Sequence, residues 1–272
     1  MQEVDFLKMS GSGNDFIIVD NREGVFDGDR INDFVKRVCR RKVSVGADGF
    51  ILIEKSDETD FGWRFFNADG SEAEMCGNGG RCVAKFAYVK GIAGKDMSFE
   101  TLAGVIRAEI LEDTVKLEMG IPNSIGLDQE LAVEGQRRLV SFINTGVPHA
   151  VEFVSDLGNF EVTRLGRLIR YHDRYRPAGT NVNFASVYDR SNMVVRTYER
   201  GVEDETLACG TGAVASVLIA YEKGMVSSQV AVKTRGGWVL SVHFKHVNGA
   251  FEEVFLEGDA RVIYEGHLWE DA

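Results

Sequence analysis

The sequence predicts an α+β fold of two pseudo-symmetric, similar domains, each a mixed or antiparallel β-sheet wrapped as a barrel around a central helix. Three observations carry that expectation. A short motif, Cys-Gly-(Asn/Thr)-Gly, occurs twice, at Cys76 and at Cys209, 133 residues apart. A rather apolar helical pattern follows each copy. Strand-like runs then flank each helix in the same order.

The repeat extends beyond the two cysteines. Ala73-Glu74-Met75-Cys76-Gly77-Asn78-Gly79-Gly80 lies over Thr206-Leu207-Ala208-Cys209-Gly210-Thr211-Gly212-Ala213. At the same offset Lys90-Gly91 meets Lys223-Gly224, Thr101 meets Thr234, and Gly104 meets Gly237. Upstream, Gly13 meets Gly146 and Gly46 meets Gly179. One dipeptide match in a chain with 30 glycines means little. Many landmarks at one ungapped offset indicate two halves of similar topology.

The elements support the pairing. From Gly79 to Val89, the residues Val83, Phe86, Ala87 and Val89 recur at helical spacing; from Ala213 to Tyr221, Val214, Val217, Leu218 and Tyr221 do the same. Each helix is expected to stop at a glycine, Gly91 or Gly224. A helix apolar on most sides belongs inside a sheet or barrel. Strands are expected at 16–20, 50–54, 62–67, 97–101, 105–111 and 115–119 in the first half. In the second they are expected at 150–154, 184–188, 194–199, 230–234, 238–244 and 253–257. Flanking helices are expected at 33–39 and 160–171. The domains are read as 1–120, carrying Cys76, and 121–260, carrying Cys209. The last strand has no counterpart after Met119, so residues 261–272 are expected to return and complete the first half. The active site is expected in the cleft between the halves.

Composition narrows the functional classes. The 272 residues are 44% hydrophobic and 27% charged, ordinary for a globular protein. Net charge is −11, and the longest basic run is Arg40-Arg41-Lys42, so a nucleic-acid partner is not expected. No stretch reaches about 18 apolar residues, so no membrane partner is expected either. The opening Met1-Gln2-Glu3-Val4-Asp5 lacks a basic segment followed by an apolar run, so it does not read as a signal peptide. Without a secretion signal, the four cysteines read as reduced thiols of a cytoplasmic protein rather than a disulfide framework. Cys39 and Cys82 lie within helical apolar patterns and read as core.

Cys76 and Cys209 read differently because both sit at a helix start followed by Gly-x-Gly. The unsatisfied N–H groups there form an anion site, and the same position favours thiolate over thiol. Two such sites around one amino acid would place its α-carboxylate against backbone N–H groups and a sulfur on each face of its α-carbon. Inverting an α-centre needs a base on one face and an acid on the other, which a thiolate and a thiol supply. The two protonations would be coupled.

At these residues the sequence resembles the diaminopimelate epimerase family. The motifs are Gly13-Asn14-Asp15-Phe16, Gly46-Ala47-Asp48-Gly49, Phe66-Asn67-Ala68-Asp69-Gly70, Met75-Cys76-Gly77-Asn78-Gly79-Gly80-Arg81-Cys82, Pro148-His149, Asn181-Val182-Asn183-Phe184, Tyr198-Glu199-Arg200-Gly201 and Ala208-Cys209-Gly210-Thr211-Gly212. They run in the family's order over nearly the whole chain. The resemblance implies interconversion of LL- and meso-2,6-diaminopimelate, feeding lysine and peptidoglycan synthesis, with no cofactor (neither pyridoxal phosphate nor metal) and a homodimer. It implies Cys76 and Cys209 as the acid/base pair, assisted by His149 and Glu199. Gly77-Asn78 and Gly210-Thr211 would bind the reacting carboxylate, Asn14 and Glu199 the reacting amino group, and Asn67, Asn181 and Arg200 the distal end.

Taken singly, the three asparagines read as turn residues, His149 as a loop residue and Glu199-Arg200 as an exposed pair. Two positions depart from the family motif: Val147 stands where Gly-Asn-Pro-His has Asn, and Gly49 where some members carry Gln. The residues leave open a two-cysteine racemase for another amino acid, such as proline, hydroxyproline or histidine. A thiol redox protein is disfavoured by the lack of Cys-x-x-Cys, and a silent amino-acid-binding module leaves both cysteines unexplained.

Overall fold

The computed structural model of the chain describes residues 4–26 and 31–269. Met1, Gln2 and Glu3 of the N-terminal reading, and residues 270–272 of the last-strand range, lie outside the described residues. In chain order the elements are β1 (Val4–Gly11), β2 (Asn14–Asp20), α1 (Ile31–Val38), β3 (Gly49–Glu54), β4 (Phe61–Asn67), β5 (Glu72–Ala73), α2 (Gly77–Val89), β6 (Asp96–Thr101), β7 (Gly104–Ile110) and β8 (Thr114–Glu118). There follow β9 (Asn123–Val133), β10 (Gln136–Asn144), β11 (Pro148–Phe153), α3 (Val162–Arg170), β12 (Asn181–Asp189), β13 (Asn192–Glu199), β14 (Asp204–Thr206), α4 (Gly210–Glu222), β15 (Val230–Lys233), β16 (Val239–Val247), β17 (Ala250–Asp259) and β18 (Arg261–Leu268). The chain divides into two compact units, Met1–Leu117 with Gly258–Ala272, and Glu118–Glu257.

Each unit is a mixed sheet with one strand order. In the first, neighbours run β18-β1-β2-β3-β4-β6-β7-β8, with β5 beside β4. In the second they run β9-β10-β11-β12-β13-β15-β16-β17, with β14 beside β13. In both, the parallel neighbours fall at the same two places: β2 on β3 and β4 on β6, then β11 on β12 and β13 on β15. The α+β architecture of two similar sheets wrapped about helices is thus the observed one. The C-terminal β18 lies antiparallel on β1, with Val4 opposite Leu268. In the second unit the matching place belongs to β9, which precedes β10 in sequence.

Two layers cover each sheet. Phe16, Ile17, Ile18 and Val19 are all buried, as expected of a strand with both faces covered. Ile17 and Val19 pack with Ile31, Val35 and Val38 of α1, while Phe16 lies against α2 near Gly79. In the second unit α3 buries Val162, Leu165 and Ile169 against Val140, Val182 and Phe184. Inside each sheet sits the longer helix: α2 packs on β1, β2, β3, β7 and β18, and α4 on β10, β11, β12, β13, β15 and β16. Every residue of α4 from Gly212 to Ala220 is buried, matching a sequence without charge before Glu222.

The two inner helices also stop alike. Gly91 and Gly224 take left-handed backbone, φ +68° and +69°. Ile92 N–H then bonds Ala87 O at 2.8 Å, and Met225 N–H bonds Ala220 O at 2.9 Å, closing the same C-terminal motif. Both helices begin two or three residues before the expected start, at Gly77 and Gly210, because glycine's weak propensity hides the first turn. Among the described residues no helix is long and apolar enough to cross a membrane.

Candidate active site

Cys76 is the N-cap of α2, with extended backbone (φ −141°, ψ 117°). Its carbonyl accepts the first helical bond, from Gly80 N–H at 2.7 Å. Its Sγ lies 3.5 Å from Gly79 N, within reach of that N–H. The N–H groups of Gly77 and Asn78 belong to the opening turn, where a helix has no internal acceptor. Asn14 donates Nδ2 to Asp48 Oδ2 at 2.7 Å. That bond turns its Oδ1 toward Cys76 Sγ, 3.6 Å away.

Behind Asn14 lies a charge cluster. Asp15 pairs with the buried Lys8 at 2.8 Å and with Arg41, which also reaches Asp48 at 2.8 Å. Burial works to raise the Asp15 carboxyl, but Arg41 and Lys8 outweigh it and hold the group at about 2. The start of β2, bearing Asn14, and the loop bearing Asp48 are thereby held together beside Cys76.

Cys209 is the N-cap of α4 in the same conformation (φ −123°, ψ 109°). Ala213 N–H bonds its carbonyl at 3.0 Å, and its Sγ lies 3.6 Å from Thr211 Oγ1. Gly212 is required here by close approach. A Cβ at this position would stand 2.3 Å from Asn183 Oδ1, 3.1 Å from Thr197 Oγ1 and 3.2 Å from Cys209 Sγ.

The remaining second-unit residues gather on β11, β12 and β13. Asn181 is buried; its Nδ2 donates to Pro148 O at 3.2 Å, and its Oδ1 accepts Arg200 N–H at 2.8 Å. Arg200 Nη1 lies 3.4 Å from Ala178 O. Glu199 is half-buried, and burial raises its carboxyl above the usual range against a smaller pull from Thr206. His149 is a strand residue with 0% exposure, not a loop residue. Burial, with Arg200 nearby, pushes its ring down to about 3, so it is neutral at ordinary pH. Asn67, at the end of β4, is exposed and donates to Ser71 Oγ at 3.0 Å, a turn contact.

Both departures from the motif have a local setting. Val147 is half-buried in the turn between β10 and β11, where its carbonyl accepts Thr145 N–H at 3.1 Å. Gly49 opens β3 against aromatic neighbours. A Cβ there would stand 2.6 Å from Phe65 Cε2 and 2.9 Å from Phe66 O, so the packing excludes a longer residue.

Three residues near the cysteines receive no role from the sequence reading, although Arg81 and Asn183 stand within its motifs. Arg81 is fully buried in α2, bonded to Asn78 Oδ1, Ser12 Oγ and Asp259 O. Asn183 and Thr197 lie buried under the start of α4. A charge inside an apolar helix pattern was the available signal for Arg81. For Asn183 it was alternation, because residues 181 and 183 share a strand face. Among the described residues no cluster of three His, Cys, Asp or Glu side chains is placed to hold a metal.

Comparison with solved structures agrees with this architecture. A Bacillus anthracis phenazine biosynthesis protein of the PhzF family matches with TM-score 0.77 at 16% identity, over 99% of this chain and 100% of that one. A probable proline racemase from Agrobacterium radiobacter K84 matches with TM-score 0.74 at 15% identity, over 98% of this chain and 93% of that one. At such identities the likeness is one of fold. Sequence relatives are nearer. Diaminopimelate epimerase of Aquifex aeolicus is 48% identical, over 98% of this chain and 99% of the relative. That of Archaeoglobus fulgidus is 41% identical, over 97% and 96%. Fold and relatives together define an isomerase of the racemase/epimerase type. The family model for diaminopimelate epimerase matches residues 6–125 and 141–263. The chain belongs to the diaminopimelate epimerase family.

Proposed function

We propose that the chain interconverts LL- and meso-2,6-diaminopimelate by moving one α-proton between Cys76 and Cys209, without a cofactor. The observation that carries this is the matching helix-cap position and backbone of the two residues. Each is the extended N-cap of a 13-residue helix, with Gly-x-Gly next. A mere turn cysteine has no reason to occur so twice.

In the proposed reaction a thiolate takes the α-proton, leaving the electron pair on the α-carbon and its carboxylate. The opposite thiol delivers its proton to the other face, so configuration inverts and no net oxidation occurs. Backbone N–H groups at Gly77-Asn78 and Gly210-Thr211 hold the carboxylate and stabilise the charge that develops on it. Asn14 and Glu199 hold the reacting amino group. Asn67, Asn181 and Arg200 hold the distal amino-acid end, where Arg200 offers a carboxylate-matching fork. His149 and Glu199 assist the thiols. Work in the lysine and peptidoglycan route, a cytoplasmic setting and a homodimer belong to the same reading.

The test is proton NMR of reduced protein with LL-2,6-diaminopimelate in D2O, with no cofactor added. The reading expects loss of the α-proton signal and appearance of meso product, abolished in Cys76→Ala and in Cys209→Ala. No exchange by folded, reduced protein rejects this substrate, and full turnover in either alanine variant rejects the mechanism.

A further inference from the structure

The Asn183 side chain is fully buried, and every one of its hydrogen-bonding groups is engaged. Its Nδ2 lies 3.0 Å from Ala150 O and 3.0 Å from His149 Nδ1, while its Oδ1 accepts Thr197 Oγ1–H at 2.8 Å. A main-chain carbonyl can only accept. The amide therefore cannot be reversed, because its oxygen would then face the Ala150 oxygen. With the NH2 group fixed toward His149, Nδ1 has to accept, and a neutral ring then carries its proton on Nε2. That Nε2 is buried and has no hydrogen-bond partner among the described residues. An orphaned buried N–H is costly enough to call for an acceptor.

We propose that Asn183 is a positioning residue: it locks His149 as the Nε2–H tautomer and so reserves one buried imidazole N–H for an oxygen of the bound amino acid. The acceptor expected is a carboxylate oxygen, since Arg200 lies close enough to act on the ring electrostatically and an anion satisfies both donors. Burial keeps the ring neutral, so it donates without adding a cation. Asn183 also underlies the first turn of α4, where Gly212 leaves it room; the tautomer lock and the Cys209 helix start share one support. The inference rests on the proposed epimerase reading only for what the N–H meets.

The experiment is 15N NMR of the His149 ring in the whole protein. Ligand-free wild type is expected to show a bare Nδ1 and a protonated Nε2. Asn183→Asp, which presents only acceptors, is expected to move the proton to Nδ1 and cut turnover by about tenfold or more, the factor one hydrogen bond supplies. Should that variant not fold, His149→Gln and His149→Asn serve instead. Gln can place an amide N–H near the Nε2 position, and is expected to exceed Asn in turnover by about tenfold. LL-2,6-diaminopimelate added to Cys76→Ala is expected to shift the Nε2–H resonance. A wild-type ring protonated at Nδ1, a moved tautomer with undiminished turnover, equal turnover of the Gln and Asn variants, or bound ligand leaving the resonance still would each overturn the proposal. Absent α-proton exchange in wild type, with the tautomer as stated, would fault the epimerase reading and not the lock.

Discussion

Arg81 Nη2 lies 2.8 Å from Asn78 Oδ1, so a fully buried guanidinium holds the second residue of the helix that Cys76 caps. The same group reaches Ser12 Oγ at 3.0 Å and, through Nε, Asp259 O at 3.2 Å. All three acceptors are neutral; the Asp259 carboxylate is met through Ser12, whose Oγ and N bond its Oδ1 at 2.8 and 2.9 Å. At the matching place in the second unit, 133 residues on, stands Val214. Replacing Arg81 by Met relieves the burial of a charge but strands three buried acceptors. At about 1–3 kcal/mol for each unsatisfied group, the loss outweighs the relief. Arg81→Met is expected to lower stability in urea titration by at least 1 kcal/mol or so. Arg81→Lys is not expected to restore it, because one ammonium cannot match three acceptors set by a planar fork.

His149 gives the fold a pH dependence of definite sign. The folded ring resists protonation down to about 3, whereas in the unfolded chain it takes a proton near 6.5. Between those values the unfolded state binds the extra proton, so stability is lost as pH falls through the window. The expected contribution to the slope approaches about 1.4 kcal/mol per pH unit. Denaturant titrations from pH 7 to pH 4 should show a steeper decline for wild type than for His149→Gln. Parallel declines would show that His149 contributes no such linkage.

The two Gly-x-Gly turns are not equally tolerant. A methyl at Gly212 meets the fully engaged Asn183 at 2.3 Å, while one at Gly79 meets Ile51 Cδ1 at 3.3 Å and Cys76 Cβ at 3.5 Å. Gly212→Ala is expected to cost about 1–3 kcal/mol of stability and to depress turnover. Gly79→Ala is expected to fold with a smaller loss. Thermal melts of both variants check the order, and a reversed order would contradict the packing described.

Cys39 and Cys82 should be silent toward thiol reagents. Burial pushes the Cys39 thiol up to about 12 and Cys82 higher still, and the thiol is a far weaker nucleophile than the thiolate. Peptide mapping after iodoacetamide treatment near pH 8 is expected to find neither labelled in native protein and both labelled in urea. Labelling of Cys82 in folded protein would mean that α2 opens far more readily than its burial implies.

The helices and the expected strands were legible because their periodicity is strong and occurs twice. The strands β1, β9 and β10 were not, nor were the short β5 and β14. In β1 the apolar run is broken by Lys8, a buried cation whose place depends on Asp15 of β2 and on Gly46 from a loop. The long β9 is mostly exposed, leaving little apolar alternation to read. Cys76, Cys209 and the motif residues around them were visible as residues. The contacts that support them were not, because Ser12, Arg81 and Asp259, like His149, Asn183 and Thr197, meet only after the chain has folded.

The pairing of β1 with β18 has a bearing on how the chain is made. Ribosomal synthesis delivers β1 before any of the second unit and β18 after all of it. The second sheet takes its matching edge strand from β9, next to β10 in sequence, so its pieces emerge together. The first sheet instead leaves one side of β1 unpaired while some 250 residues are added, an exposed edge of the kind that recruits other chains. The second unit is therefore complete within its own continuous span of sequence, and the first unit is where nascent-chain misassociation would begin.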